Sequence, residues 1–195
     1  AKPNAALWKA VDRNGFRYSC AELDFDGGIY DFGVEISKVR KRLTSNGAIL
    51  IKSISDTSVN TEDWQFKINM RDELNKALKD QGEVILPVMA AKKGWLEPGI
   101  KKLKDLFRPI QQATENGVVM PTEYLFRRNV PKYKYELMHY QWPENITTAN
   151  VKPIPKYNER IDCSRYIESI APKFVTPGEQ ALFVHTYNGA YRREL

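Results

Sequence analysis

Cysteine and histidine are scarce: the chain of 195 residues holds two of each, Cys20, Cys163, His139 and His185. Two thiols are too few for a disulfide scaffold, and no Cys/His spacing suits a zinc site. Each histidine lacks an obvious partner in the sequence, so thiol and imidazole chemistry give way to a structural reading of all four. Long apolar runs are missing as well. The longest, at residues 48–51 and 84–88, are strand-sized, against the roughly 20 residues a bilayer span needs. The N-terminus, Ala1-Lys2-Pro3-Asn4, carries no apolar stretch of the signal-peptide kind, which implies a reduced, cytosolic compartment. Neither a Gly-rich phosphate loop nor a serine nucleophile elbow occurs.

What is present can build a core. Hydrophobic residues make up 42% and aromatics 11% of the chain, which excludes wholesale disorder. A chain of this size hides roughly 70% of its unfolded surface, enough for one domain with a tail. Thirty Lys and Arg against 24 Asp and Glu leave a net charge of +6, a modest surplus whose placement matters more than its size and which makes nucleic acid a candidate partner.

Residues 6–11 and 16–23 flank Asp12-Arg13-Asn14-Gly15, the Asn-Gly signal of a β-hairpin. Past Asp24-Phe25-Asp26-Gly27-Gly28, apolar residues recur at helical spacing from Ile29 to Leu43, predicting a helix over 30–45 that stops at Asn46-Gly47. Residues 48–54 read as a buried strand, 64–79 as a helix, 84–89 as a strand, 100–107 as a helix, 117–121 as a strand, and 132–140 and 159–170 as helices. The order β-β-α-β-α-β-α-β-α-α predicts an α/β fold, a mixed central sheet with helices on both faces. Residues 145–157 read as a surface loop. Pro172 and Pro177-Gly178 mark a boundary, so the domain is expected over 1–170 and a C-terminal extension, either an added strand or a loosely attached tail, over 171–195.

Carboxylates are the better chemical lead. Asp56 follows the apolar run at the C-terminal end of a predicted central strand, where open α/β sheets collect their ligands. Glu159 and Asp162, three apart, share one face of the last helix. Oxygen donors on a strand end and a crossing helix suit Mg²⁺ or Mn²⁺, and a pair of such ions suits phosphodiester hydrolysis. The plainer alternative makes Asp56 a turn cap and Glu159 a helix cap. Glu22, Asp24 and Asp26, near Gly27-Gly28, read as turn residues, with a share in metal binding the alternative. Basic residues gather mid-chain: Lys92, Lys93, Lys101, Lys102 and Lys104, then Arg127, Arg128, Lys132 and Lys134, interleaved with Trp95, Phe107, Tyr124, Phe126, Tyr133 and Tyr135. Lys92, Lys93, Lys101, Lys102, Lys104 and Arg128 are the candidate DNA-backbone contacts, with a solvated helix face the alternative for those at 101–104.

Four stretches together resemble the nuclease domain of the large terminase subunit of tailed bacteriophages. Lys2-Pro3-Asn4-Ala5-Ala6-Leu7-Trp8 leading to Val11-Asp12-Arg13-Asn14-Gly15 looks like its first hairpin, and Ile54-Ser55-Asp56-Thr57-Ser58 like the strand bearing its second metal aspartate. Tyr135-Glu136-Leu137 with Tyr140-Gln141-Trp142-Pro143 is similar to its E-L-x-x-Y-x-W segment, and residues 156–166 to its closing D-H-x-x-D-x-x-R-Y motif. The match spans about residues 1–170. The resemblance implies an RNase H-like fold, two divalent ions (Mg or Mn), and endonuclease action on concatemeric double-stranded DNA. It also implies partnership with an ATPase motor domain, a portal and a small terminase subunit in the cytoplasm of an infected bacterium, with no membrane. On this likeness Asp56 and Asp162 are metal ligands, Glu159 stands where the family often has His or Asp, and Arg165 and Tyr166 orient the helix. The family's first metal aspartate lies just upstream of the segment matched by residues 4–8, and its ATPase domain has no counterpart in these 195 residues. Two other functions follow from the same residues: a DNA-binding or docking module with an incomplete catalytic site, motivated by that upstream aspartate, and a resolvase of the same fold group.

Overall fold

The structure, a computed structural model, describes residues 4–56, 69–83, 88–91, 94, 96–108, 121–140 and 158–176. Strands β1 (Asn4–Val11) and β2 (Arg17–Phe25) form the expected antiparallel hairpin. Asp12 builds the turn, its Oδ1 accepting the amides of Asn14 and Phe16 at 2.9 Å each. Gly15 sits at φ 83°, a conformation that favours glycine and that explains the Asn-Gly pair. A bulge interrupts the ladder: Trp8 pairs with Ala21 and Lys9 with Ser19, leaving Cys20 as the extra residue.

Successive β1 side chains point to opposite faces, and each face meets its own helices. Ala6 and Trp8, with Leu23 and Phe25 of β2, pack against Phe32 and Ile36 of α1 (Ile29–Ser45) and Leu74 and Leu78 of α2 (Met70–Asp80). Gly33 lets those helices close on each other, since a Cβ there would lie 2.6 Å from Ala77 Cβ. Leu7 points the other way, into a core made by Leu103 and Leu106 of α3 (Leu96–Phe107), Val130, Tyr133 of α4 (Pro131–His139) and Ile161 of α5 (Glu159–Ser169). A short strand, β5 (Glu123–Leu125), adds parallel to β2, so the sheet is mixed, in order β1-β2-β5. The strands β3 (Ser53–Ser55) and β4 (Val88–Ala90) form a separate parallel pair.

The sheet face under α5 is not wholly apolar. Lys9 Nζ lies 2.7 Å from Glu123 Oε2 and 3.3 Å from Glu168 Oε1, and all three side chains are 0% exposed. Arg17 Nε reaches both Glu168 oxygens at 3.1 and 2.9 Å, while Ser19 Oγ donates to Glu123 at 2.9 Å. Two cations and two carboxylates thus clamp the C-terminal half of α5 onto the sheet.

The observed element order is the one read from the sequence. Some details differ or lie beyond view. Strand structure in the 48–54 run begins only at Ser53, and the run is half-buried with Ala48 and Lys52 exposed; among the described residues β3 pairs with β4 through three residues. The strand expected at 117–121 lies, apart from Pro121, outside the described residues; a strand is found just after it, at Glu123–Leu125, where alternation seats Glu123 on the buried network. α3 begins at Leu96, since Pro98 falls in its first turn, where no amide partner is lost. The expected helix start at 64–68, the strand residues 84–87, the loop 145–157 and the extension beyond 176 lie outside the described residues.

Candidate metal centre

Asp56 stands immediately after β3, at its C-terminal end, and Asp162 on the first turn of α5. Tyr166, one turn further along α5, joins the two elements by donating its hydroxyl to Asp56 Oδ2. Arg165 holds Asp162, with Nη2 2.8 Å and Nε 3.3 Å from Oδ1, and Asn158 Nδ2 lies 3.3 Å from Oδ2. The Arg165 guanidinium in turn sits 4.8 Å from the Tyr166 ring centroid. Arg165 and Tyr166 therefore do more than orient the helix: they fix both carboxylates. Their spacing of three and four residues from Asp162 is the sequence signal for it.

Electrostatics tie the acids together. Burial pushes the Asp162 carboxyl above its ordinary range, the Asp56 and Glu159 charges add to the rise, and Arg165 opposes it. Burial also raises the Tyr140 hydroxyl to about 12, with the Asp162 charge contributing. Burial, the Asp56 hydrogen bond and the Asp162 charge push the Tyr166 hydroxyl up. Asp56, Glu159 and Asp162, singled out from sequence, thus share one half-buried neighbourhood in which their charges repel. Among the described residues no three His, Cys, Asp or Glu side chains are spaced as a ready-made metal cage.

The plainer helix-cap role falls to another residue. The amides of Arg160 and Ile161 are bound at 2.7 and 3.1 Å by Glu136 Oε2 from α4. Burial pushes the Glu136 carboxyl up to about 7, against the pull of those two amides. Glu22 and Asp24, read as turn residues, lie on β2 and have protein partners: Glu22 accepts the amides of Lys132 and Tyr133, and Asp24 pairs with Lys132 and Arg160.

Of the candidate DNA contacts, Lys101, Lys102 and Lys104 are exposed on α3, opposite buried Ile100, Leu103 and Leu106, and Arg128 is exposed in the turn after β5. Lys92 and Lys93 lie outside the described residues, as does Trp95. Phe126 and Tyr135 are exposed, but Tyr133 belongs to the core. Its ring is fully buried and its hydroxyl donates to Ser164 at 2.7 Å, because the α4 repeat turns positions 133 and 136 inward. His139 is exposed and bonds the Tyr135 carbonyl at 2.7 Å.

A mixed sheet with helices on both faces, entered by a hairpin and closed by a carboxylate-bearing helix, is an α/β fold with a counterpart among solved structures. Among solved structures the chain is similar to the crystal structure of the g2p (large terminase) nuclease domain from the bacteriophage SPP1 with bound Mn, with a TM-score of 0.53 and 18% identity, covering 88% of this chain and 80% of that one. No protein-family pattern matches the chain, and no curated protein does.

Proposed function

We propose that this chain is the nuclease domain of a phage large terminase, a divalent-metal-dependent endonuclease that cuts concatemeric double-stranded DNA. The observation that carries the reading is the meeting of Asp56, at a strand's C-terminal end, with Asp162 and Glu159 on α5, like charges held close in a half-buried site. Hard oxygen donors that repel one another fit a bound cation, which relieves the repulsion. Asp56, Asp162 and Glu159 would hold two ions of the Mg or Mn type. When bound, such ions supply charge stabilisation at the phosphate and activation of water. The fold neighbour was crystallised with Mn, which agrees with that choice.

The chain's own residues do the positioning. Arg165 and Tyr166 lock the two aspartates in place. Lys92, Lys93, Lys101, Lys102, Lys104 and Arg128 hold the DNA backbone without reading bases, because phosphate contacts position but do not specify. The expected products are a 5′ phosphate and a free 3′ hydroxyl, from in-line attack of water with loss of the 3′ oxygen. As part of a packaging motor, the domain would work with an ATPase domain, a portal and a small terminase subunit in the host cytoplasm; among the described residues no helix is long and apolar enough to cross a membrane.

A second reading, a DNA-binding or docking module with an incomplete catalytic site, draws support from the absence of a three-ligand cluster among the described residues. Supercoiled plasmid incubated with Mn²⁺, Mg²⁺ or EDTA separates the two. Metal-dependent nicking abolished by Asp56→Ala and by Asp162→Ala is the expected result. Binding without nicking at any metal concentration supports the module, and equal nicking by both variants and the parent overturns the assignment of the site.

A further inference from the structure

The candidate carboxylates ride on a helix that does not cap itself. Asn158, the N-cap residue of α5, makes no capping side-chain bond, and the amides of Arg160 and Ile161 are taken instead by Glu136 Oε2. The second oxygen of Glu136 accepts Arg160 Nη1 at 2.6 Å. From there the guanidinium runs on to β2, with Nη2 against Asp24 Oδ1 and Nε 3.8 Å from Glu22 Oε2. Glu22 repeats the device one helix earlier. Val130, the N-cap residue of α4, makes no capping bond either, and the Lys132 and Tyr133 amides are held at 2.8 Å each by the Glu22 carboxylate.

Each helix is therefore capped by a carboxylate from another element: β2 caps α4, and α4 caps α5. Arg160, 5% exposed, closes the loop from α5 back to β2. A carboxylate at a helix N-terminus meets unpaired amides and the positive end of the helix dipole. The Arg160 guanidinium donates a hydrogen bond to Glu136 and stands within ion-pair reach of Glu22 and Asp24.

We propose that Glu136 and Arg160, backed by Glu22, are positioning residues for the metal centre. They fix the height and rotation of the first turn of α5, and so where Glu159 and Asp162 stand against Asp56. The placement comes from β2 and α4. The inference rests on reading the carboxylate site as a metal centre. Removing a partner that orients metal ligands typically weakens metal affinity by about 10–100-fold.

The test pairs Mn²⁺ calorimetry with hydrogen exchange and thermal melting of the full chain, for the parent, Glu136→Ala, Glu136→Gln and Arg160→Lys. Glu136→Ala should weaken Mn²⁺ binding at least about tenfold and speed amide exchange at Arg160 and Ile161. Glu136→Gln, which keeps one acceptor oxygen, should recover part of both effects. Arg160→Lys, which loses the planar fork, should weaken Mn²⁺ binding in a chain that still melts cooperatively, and serves if the alanine variant does not fold. Parent-like Mn²⁺ affinity in folded Glu136→Ala or Arg160→Lys overturns the proposal, whatever happens to the melting temperature. A parent that binds no Mn²⁺ overturns the metal-centre reading and this inference with it; the exchange data still decide separately whether Glu136 caps α5.

Discussion

Lys9→Met tests the buried clamp under α5. The lysine side chain is fully buried between Glu123 and Glu168, and methionine fills nearly the same space without the charge. After the change Glu123 keeps only the Ser19 hydroxyl among the partners seen here, and Glu168 keeps Arg17. Two anions then share a dry site with one cation. Removing one partner of a buried ion pair costs about 3–5 kcal/mol, because the desolvated charge left behind is uncompensated. For a domain of this size each kcal/mol moves the melting temperature about 2–4 °C, so a fall of about 6–20 °C is expected. Urea unfolding should show a lower midpoint at an unchanged slope. The double variant Lys9→Met/Glu123→Gln, which removes the stranded charge and keeps an acceptor for Ser19, should regain at least half the loss. A single variant within about 1 kcal/mol of the parent, or a double variant no more stable than the single, refutes the reasoning.

Two further outcomes follow from the packing and the charges. Gly33→Ala places a methyl 2.6 Å from the Ala77 Cβ and 3.1 Å from Leu74 Cδ1, so the gain in helix propensity, about 0.5–1 kcal/mol, is outweighed by overpacking of about 1–3 kcal/mol; a higher urea midpoint for the variant sinks this account of the α1–α2 contact. Glu136 has a folded pKa raised from 4.5 to about 7, so the folded state binds more protons than the unfolded one within that window and its contribution to stability falls as pH rises. Relative to Glu136→Gln, the parent should lose up to about 3 kcal/mol between pH 4.5 and 8, and unfolding curves that keep a constant separation across that range contradict the assignment.

Much of the fold is legible in the sequence because its signals are local. Asp12-Arg13-Asn14-Gly15 announces the hairpin through a backbone shape that glycine favours, and Ile29, Phe32 and Ile36 of the α1 repeat enter one core. The short strands are harder. β5 is three residues long and contains a buried acid, Glu123, so neither hydrophobicity nor alternation reveals it; its partners are Ser19 and Lys9, more than 100 positions away. Asp56 and Asp162 are recognisable by their places on a strand end and a helix face, whereas Glu22 reads as a turn residue, and Glu136 and Arg160 fall within the family-like segments without a role of their own. Their role exists only after α4 and α5 have docked, and no spacing within one element encodes a cap donated by another. Tyr133 shows the reverse error: a ring that looks like contact surface beside lysines is turned inward by the phase of its helix.

The bulge at Cys20 has a consequence for the whole α5 side of the molecule. Upstream of it, the odd-numbered residues Arg17 and Ser19 reach the clamp around Glu168; downstream, the even-numbered Glu22 and Asp24 reach Arg160, while Leu23 and Phe25 enter the apolar layer under α1. The extra residue is a change of phase in the middle of a strand. It lets one strand serve both ends of the same helix with polar groups while still feeding oil to the opposite face. Pairing Cys20 into a regular ladder would turn Glu22 and Asp24 towards Phe32 and Ile36 and bring Leu23 and Phe25 round to the arginine, whereas removing Cys20 would leave all four on their present faces. For this chain, the exclusion of Cys20 from the ladder is as much a determinant of the site as the identity of its acids.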